Sequence, residues 1–223
     1  MSSVFTLHWR GPMAAQTGEK IDGKGQHQVI PSHTAVTGLL GAALGLQCED
    51  AQLTQLADRL RYAVIVHAMG DLCEDYQTAD LTAMPREMWW SRDGKVGLQT
   101  REAGPDALYG ARIQTRPFAS DVDMTIVVQL LEGCPWSAEA LLSALIAPRY
   151  PLCLGRENYP PSGRIAGEVV DAATLEAALD LAPRKGVAYL PVDAQSASAW
   201  GDIVISVPSR GRVASRFLAR TLG

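Results

Sequence analysis

Ser32, His33 and Thr34 follow Pro31 at the head of an apolar-periodic stretch. Hydroxyl and imidazole groups beside first-turn amides, which have no intrahelical acceptor, favour a phosphate. Arg112 and Arg116 stand just before an alternating apolar run, and Arg149-Tyr150 and Arg156 bracket a shorter one. A guanidinium is a planar fork that fits phosphate or carboxylate. Each group is ordinary alone, but together they outline a groove for a polyanion.

Other chemistries are missing from the sequence. There is no Walker-type Gly-Lys-Ser/Thr, no His-Glu-x-x-His and no Gly-x-Ser-x-Gly elbow. Gly23-Lys24-Gly25 is too short for a phosphate loop and lacks the strand-then-helix context. His8 and His67 fall in strand patterns and read as satisfied structural histidines, whereas His27 and His33 flank a loop end and can meet a phosphate or move a proton. The acids of 71–106 read as a solvated or partner-facing surface. Cys48, Cys73, Cys134 and Cys153 have no paired spacing, which points to a reduced, cytoplasmic protein with no zinc site. No cofactor is expected.

The elements that position these residues follow from periodicity. Val4–Trp9 alternates as a strand, and the Gly-rich stretch Gly11 to Ile30 reads as a long mobile loop. A helix then runs from Ser32 as cap to Gly45 as terminator, with Val36, Leu39, Leu40 and Ala43 on one stripe. Gly38, Gly41 and Gly45 form a second stripe. An interior glycine costs about 1 kcal/mol against alanine, so another backbone or a ligand is expected very close to this face. Asp50–Arg61 is a second helix and Tyr62–His67 a buried strand. From Asp71 to Ala119 the pattern dissolves around an Asp93-Gly94 turn and a Met88-Trp89-Trp90 cluster, which suits an inserted hairpin. Order returns with a strand at Asp123–Leu131, a helix from Ser137 to Ala147 and a short strand at Leu152–Gly155. Beyond these come a strand at Arg164–Val170, a helix at Thr174–Leu181, and strands near 186–192, 202–207 and 213–222. Strand-helix-strand occurs twice around the insertion, and this is the order of a ferredoxin-like split βαβ plan.

The chain has 223 residues, 47% of them hydrophobic, which is enough for one real core. No run approaches about 18 apolar residues, so no membrane span is expected. The N-terminus lacks the basic-then-apolar layout of a signal peptide. The net charge of -4 argues against a simple nucleic-acid binder, but its distribution is uneven. Residues 49–109 carry six basic and eleven acidic groups, whereas 203–223 carry four arginines and no acid. Arginine outnumbers lysine sixteen to four, the bias expected where bidentate contacts matter.

These residues resemble a known family. Pro31-Ser32-His33-Thr34-Ala35-Val36-Thr37-Gly38-Leu39-Leu40-Gly41 and its continuation to Gly45 are similar to the signature helix of the CRISPR-associated Cas-five (CasD) proteins. Leu7-His8-Trp9-Arg10-Gly11-Pro12-Met13 fits the family's opening. Asp75-Tyr76-Gln77-Thr78 resembles its Asp-Tyr-His-Thr element. Pro148-Arg149 through Leu154-Gly155-Arg156, followed by Pro160-Pro161, resembles its Pro-Arg-x-x-x-x-Leu-Gly-Arg motif, and Ala214-Ser215-Arg216 is similar to its tail. The matches keep their order over nearly the whole chain. Two elements depart from the pattern: Ala14-Ala15-Gln16-Thr17-Gly18 has no tryptophan, and Arg116-Pro117-Phe118 stands where Arg-Glu-Tyr is common.

The resemblance implies an α+β protein with a ferredoxin-like (RRM-like, RAMP superfamily) palm at 1–74 and 119–160. A hairpin thumb would occupy 75–118 and a β-rich C-terminal elaboration 161–223. It implies a non-catalytic subunit of a Cascade-type ribonucleoprotein. That subunit holds the five-prime handle of the guide RNA (crRNA), caps one end of the backbone filament, and meets backbone and large subunits and, indirectly, the target nucleic acid. On this reading Ser32, His33 and Thr34 take phosphates, Arg112, Arg116, Arg149, Tyr150 and Arg156 line the handle groove, and Met88, Trp89 and Trp90 form a thumb or partner contact. Some members trim repeat RNA without metal at a Lys-His site. This chain has no adjacent Lys-His pair, and His33 with Tyr76 or Lys24 would be the substitute.

Overall fold

The computed structural model describes residues 3–21, 24–80, 111–191, 204–209 and 212–222. Alternation sets the centre of the sheet. Phe5, Leu7 and Trp9 of β1 (Ser3–Ala14) share a buried face with Tyr62 and Val64 of β4 (Leu60–Ala68). Met124, Ile126, Val128 and Leu130 of β6 (Ala111–Leu130) lie on the same face. β6 pairs antiparallel with both neighbours, placing Ile126 opposite Leu7 on one side and Val64 on the other. β7 (Ala166–Val170) pairs antiparallel with the far side of β1. The central order is therefore β7-β1-β6-β4, and the sheet continues through β8 (Gly186–Pro191) and β10 (Arg212–Leu222) to β9 (Val204–Ser209). β5 (Leu72–Asp80) pairs with the outer half of β6, and β2 (Thr17–Ile21) pairs with β3 (Lys24–His27) apart from the main sheet.

Two helices cover the Phe5–Trp9 face. α1 (His33–Leu44) buries Val36, Leu39, Leu40 and Ala43 there, and α3 (Ala138–Ile146) buries Leu141, Leu142 and Leu145. Each such leucine contributes about 2 kcal/mol by leaving water. α2 (Ala51–Asp58) flanks α1 and adds Leu56 to the core. On the opposite face α4 (Leu175–Asp180) packs Leu175, Ala178 and Leu179 against Ile65, Val127 and Leu190.

Two expectations change. The expected loop at Gly11 to Ile30 is largely ordered, because β1 runs on to Ala14 and β2 and β3 form a hairpin. Pro12, which has no amide to donate, falls at a skipped step of the ladder opposite Asp121, whose φ of 44 marks an irregularity in β6. Leu152–Gly155 is not a strand. The Leu154 amide bonds to Tyr159 O at 2.8 Å, and Gly155 turns the chain at φ 90. The strand that completes the second strand-helix-strand unit is β7. Within the expected insertion, β5 pairs with the outer part of β6 from Leu72↔Ala119 to Asp80↔Ala111. The Asp93-Gly94 turn and Met88, Trp89 and Trp90 lie outside the described residues.

Candidate nucleic-acid interface

The head of α1 is held by its own chain. Ser32 is extended, and its hydroxyl accepts from the Ala35 amide at 3.3 Å while lying 3.0 Å from Thr34 Oγ1. The buried Tyr62 hydroxyl donates to Pro31 O at 2.8 Å, and burial keeps that hydroxyl protonated far above the ordinary tyrosine range. His33 Nε2 donates to Leu60 O at 3.2 Å, and its ring sits 6.0 Å from the Tyr62 ring. His33 thus turns toward β4, whereas Ser32 and Thr34 line a groove.

That groove has a volume of about 340 Å³. One wall is α1, with Thr34, Ala35, Gly38, Leu39 and Ala42 along it; the other comprises Ala15 and Gln16 after β1, and Cys153 and Gly155. The second wall is pinned. The Ala15 amide donates to Leu154 O at 2.9 Å, and a Cβ on Gly155 would run into the Ala15 carbonyl, so only glycine fits. Among the described residues no charged side chain lines the groove. Burial, then the nearby Glu157 carboxylate, push the Cys153 thiol up, so it stays neutral.

The glycine stripe resolves residue by residue. Gly41 packs against Leu53 of α2, which is helix contact. Gly38 has nothing within 4 Å of the position its Cβ would take, so it opens onto the groove. Gly45 ends α1 at φ 80, and the stem of Arg149 lies across it. Gly38, Ala42 and Gly45 stand at i, i+4 and i+7, on one face. From Thr34 to Gly45 this face is about 16 Å long. Arg149 marks its far end. The Arg149 and Tyr150 amides donate to Ala43 O and Ala42 O at 3.0 and 3.1 Å, and both residues are exposed.

A family model described as CRISPR-associated protein (Cas_Cas5) matches residues 4–211. The chain belongs to this Cas5 family. It is 28% identical to the CRISPR system Cascade subunit CasD of Escherichia coli (strain K12) over 162 residues, 72% of this chain and 68% of that protein. A chain of a solved CRISPR RNA-guided surveillance complex has the same fold at a TM-score of 0.64 and 20% identity, covering 98% of this chain and 89% of that one. A crystal structure of a Cas protein matches at a TM-score of 0.56 and 24% identity, with coverage of 98% and 93%.

The remaining candidate residues of this Cas5 chain sit at the root of the hairpin. Arg116 is half-buried and stands opposite Asp75, and Arg112 stands opposite Ala79 farther along the same arm. Arg156 is mostly buried within the protein. Its Nη1 donates to Tyr159 Oη at 3.0 Å and lies 3.5 Å from Asp75 Oδ2, and its Nη2 donates to Pro117 O at 3.0 Å. Tyr159, Gln16 and Gly38 were not singled out as site residues from sequence. Tyr159 had one signal, its place directly before Pro160-Pro161.

A larger cleft of about 730 Å³ lies on the opposite sheet face, between β7 and the turn after α4. It suits a polyanion less well. Arg184 is taken up by Asp123 at 3.0 and 2.7 Å, and Glu168 and Asp171 line the walls. His67 is satisfied there, donating from Nδ1 to Lys185 O at 2.7 Å while Nε2 meets Thr125 Oγ1 at 2.8 Å. Among the described residues no group of His, Cys, Asp or Glu can hold a metal, and no helix is long and apolar enough to cross a membrane.

Proposed function

We propose that this chain is a non-catalytic subunit of a Cascade-type ribonucleoprotein in the cytoplasm and that it holds the five-prime handle of the guide RNA in the α1 groove. Family membership and the CasD relative support the assembly. One observation carries the site: a groove with no carboxylate among its described lining residues, which begins at a helix N-terminus with two hydroxyls and runs toward an exposed arginine and tyrosine. Phosphates meet Ser32, Thr34 and Arg149, and a base lies on the open Gly38 face or stacks on Tyr150. The β7-β1-β6-β4 centre is the palm of a ferredoxin-like (RRM-like, RAMP) fold, and β5 with outer β6 forms the root of a thumb. Arg112 and Arg116 extend the RNA track along this thumb, and Met88, Trp89 and Trp90 meet a base or a neighbouring subunit. The chain caps one end of a filament of backbone subunits and contacts a large subunit.

The salt dependence of binding tests the site. Arg149→Ala weakens binding of a synthetic handle RNA and flattens the slope of log K against log salt by about 0.7, the value for one single-strand phosphate. An unchanged slope refutes the Arg149 assignment. The second reading, cleavage of repeat RNA, gains no support from His33, which is engaged with Leu60 O. Incubation with repeat RNA in the absence of metal is expected to leave it intact. Site-specific cleavage that His33→Ala abolishes would overturn the non-catalytic reading.

A further inference from the structure

Two motifs far apart in the chain meet at one guanidinium. Arg156 closes the Leu-Gly-Arg run and Asp75 opens the Asp-Tyr-Gln-Thr run, and their side chains are 3.5 Å apart. The Arg156 side chain is only 13% exposed and Asp75 30%. The Arg156 fork is filled by three acceptors: Tyr159 Oη, Pro117 O and the Asp75 carboxylate. Its Cζ also lies 5.3 Å from the centre of the Tyr159 ring, which itself stands 5.6 Å from the Phe118 ring. Gln77 Nε2 donates to Asp75 Oδ2 at 2.5 Å and fixes the carboxylate from its own strand.

We infer that Arg156 and Asp75 are positioning residues for the handle and not phosphate ligands. They lock the Cys153–Gly155 wall of the groove to the root of the β5–β6 hairpin. The geometry explains the need for a lock. The wall is irregular backbone with no strand of its own, held at Leu154, whose carbonyl accepts from the Ala15 amide and whose amide donates to Tyr159 O. Arg156 is the side chain that joins it to two neighbouring strands at once, through Asp75 of β5 and Pro117 of β6. A lysine delivers one point charge and cannot fill these acceptors as a planar fork. Burial compounds the effect, because removing one partner takes from the other an opposite charge 3.5 Å away in a site that is only 13% and 30% exposed.

The inference rests on the handle-binding reading, and salt titration separates the two. The experiment uses the full chain, a synthetic single-stranded RNA carrying the five-prime segment of the cognate repeat transcript, and a scrambled control. Thermal unfolding of each variant is recorded alongside. Asp75→Asn and Arg156→Lys, both close in size to the native residues, are each expected to weaken handle binding by about tenfold. The double variant is expected to be no weaker than either single one, and all three are expected to keep the wild-type salt slope. A slope reduced by about 0.7 in Arg156→Ala, with Asp75→Asn unaffected, makes Arg156 a phosphate ligand and overturns the inference. Additive losses overturn it too, as does full binding by either single variant. If the wild-type chain does not prefer the handle over the scrambled RNA, the handle-binding reading fails.

Discussion

Gly38 and Gly41 look alike in the sequence, yet one faces open space and the other a leucine. Gly38→Leu therefore separates folding from binding. The variant keeps or raises the thermal midpoint, because replacing a mid-helix glycine gains up to about 1 kcal/mol of helix propensity. Handle RNA, however, binds at least about tenfold more weakly, because the side chain fills the groove. Unchanged binding would move the RNA elsewhere. Asp123 offers a test in the other direction. The Arg184 fork holds its carboxyl below the ordinary carboxylate range. A depressed folded-state value stabilises the protein fully above the unfolded value of about 3.9, and this is lost as pH falls through the folded value. Arg184 is half-exposed, so Arg184→Ala is expected to cost no more than about 1 kcal/mol at pH 7. Urea unfolding at pH 7 and below about pH 2 should find that gap narrowing in acid. A gap independent of pH contradicts the assignment. These distinctions were hidden in the sequence, since what a glycine faces and which acid an arginine meets depend on long-range packing.

At the scale of elements the sequence was most legible where period and cap agreed. α1 and α3 lie within a residue or two of their predicted bounds because Ser32 and Ser137 announce them. The two caps are chemically alike, accepting from the third helical amide at 3.3 and 3.2 Å. Ser32→Ala and Ser137→Ala should each cost about 1 kcal/mol in urea unfolding. Only the first should weaken handle RNA, because only Ser32 lines the groove. Equal effects on binding would reduce the Ser32 role to capping. Legibility failed at β1, where Gly11 and Pro12 disguised a strand that continues to Ala14, and at Leu152–Gly155, where an apolar run serves a turn. In both places the local signal was overruled by hydrogen bonds to residues distant in sequence. The groove was legible at its α1 and Arg149 ends, which carry motifs, and not at Gln16, whose neighbourhood has no periodicity.

For the molecule as a whole, the C-terminal strands do not form an appendage. β8 pairs with β4, and β10 sends Phe217 into the main core, 5.3 Å from the Tyr62 ring that steadies the head of α1. Phe217→Ala should therefore cost about 3–5 kcal/mol and lower the whole unfolding transition, not just a terminal phase. A biphasic melt with the α1 region unaffected would show separate units. The number of late strands was readable from the sequence; their fusion into the first sheet was not, because strand pairing leaves no local mark. β6 has a further consequence. Its inner half is registered against both β1 and β4 from Asp123 to Leu130, while its outer half is paired with β5. Residues added or deleted at 81–110 would not shift a single rung of the inner ladder. Drift in chain length among kindred proteins can therefore accumulate in that interval, while the inner ladder is inherited intact.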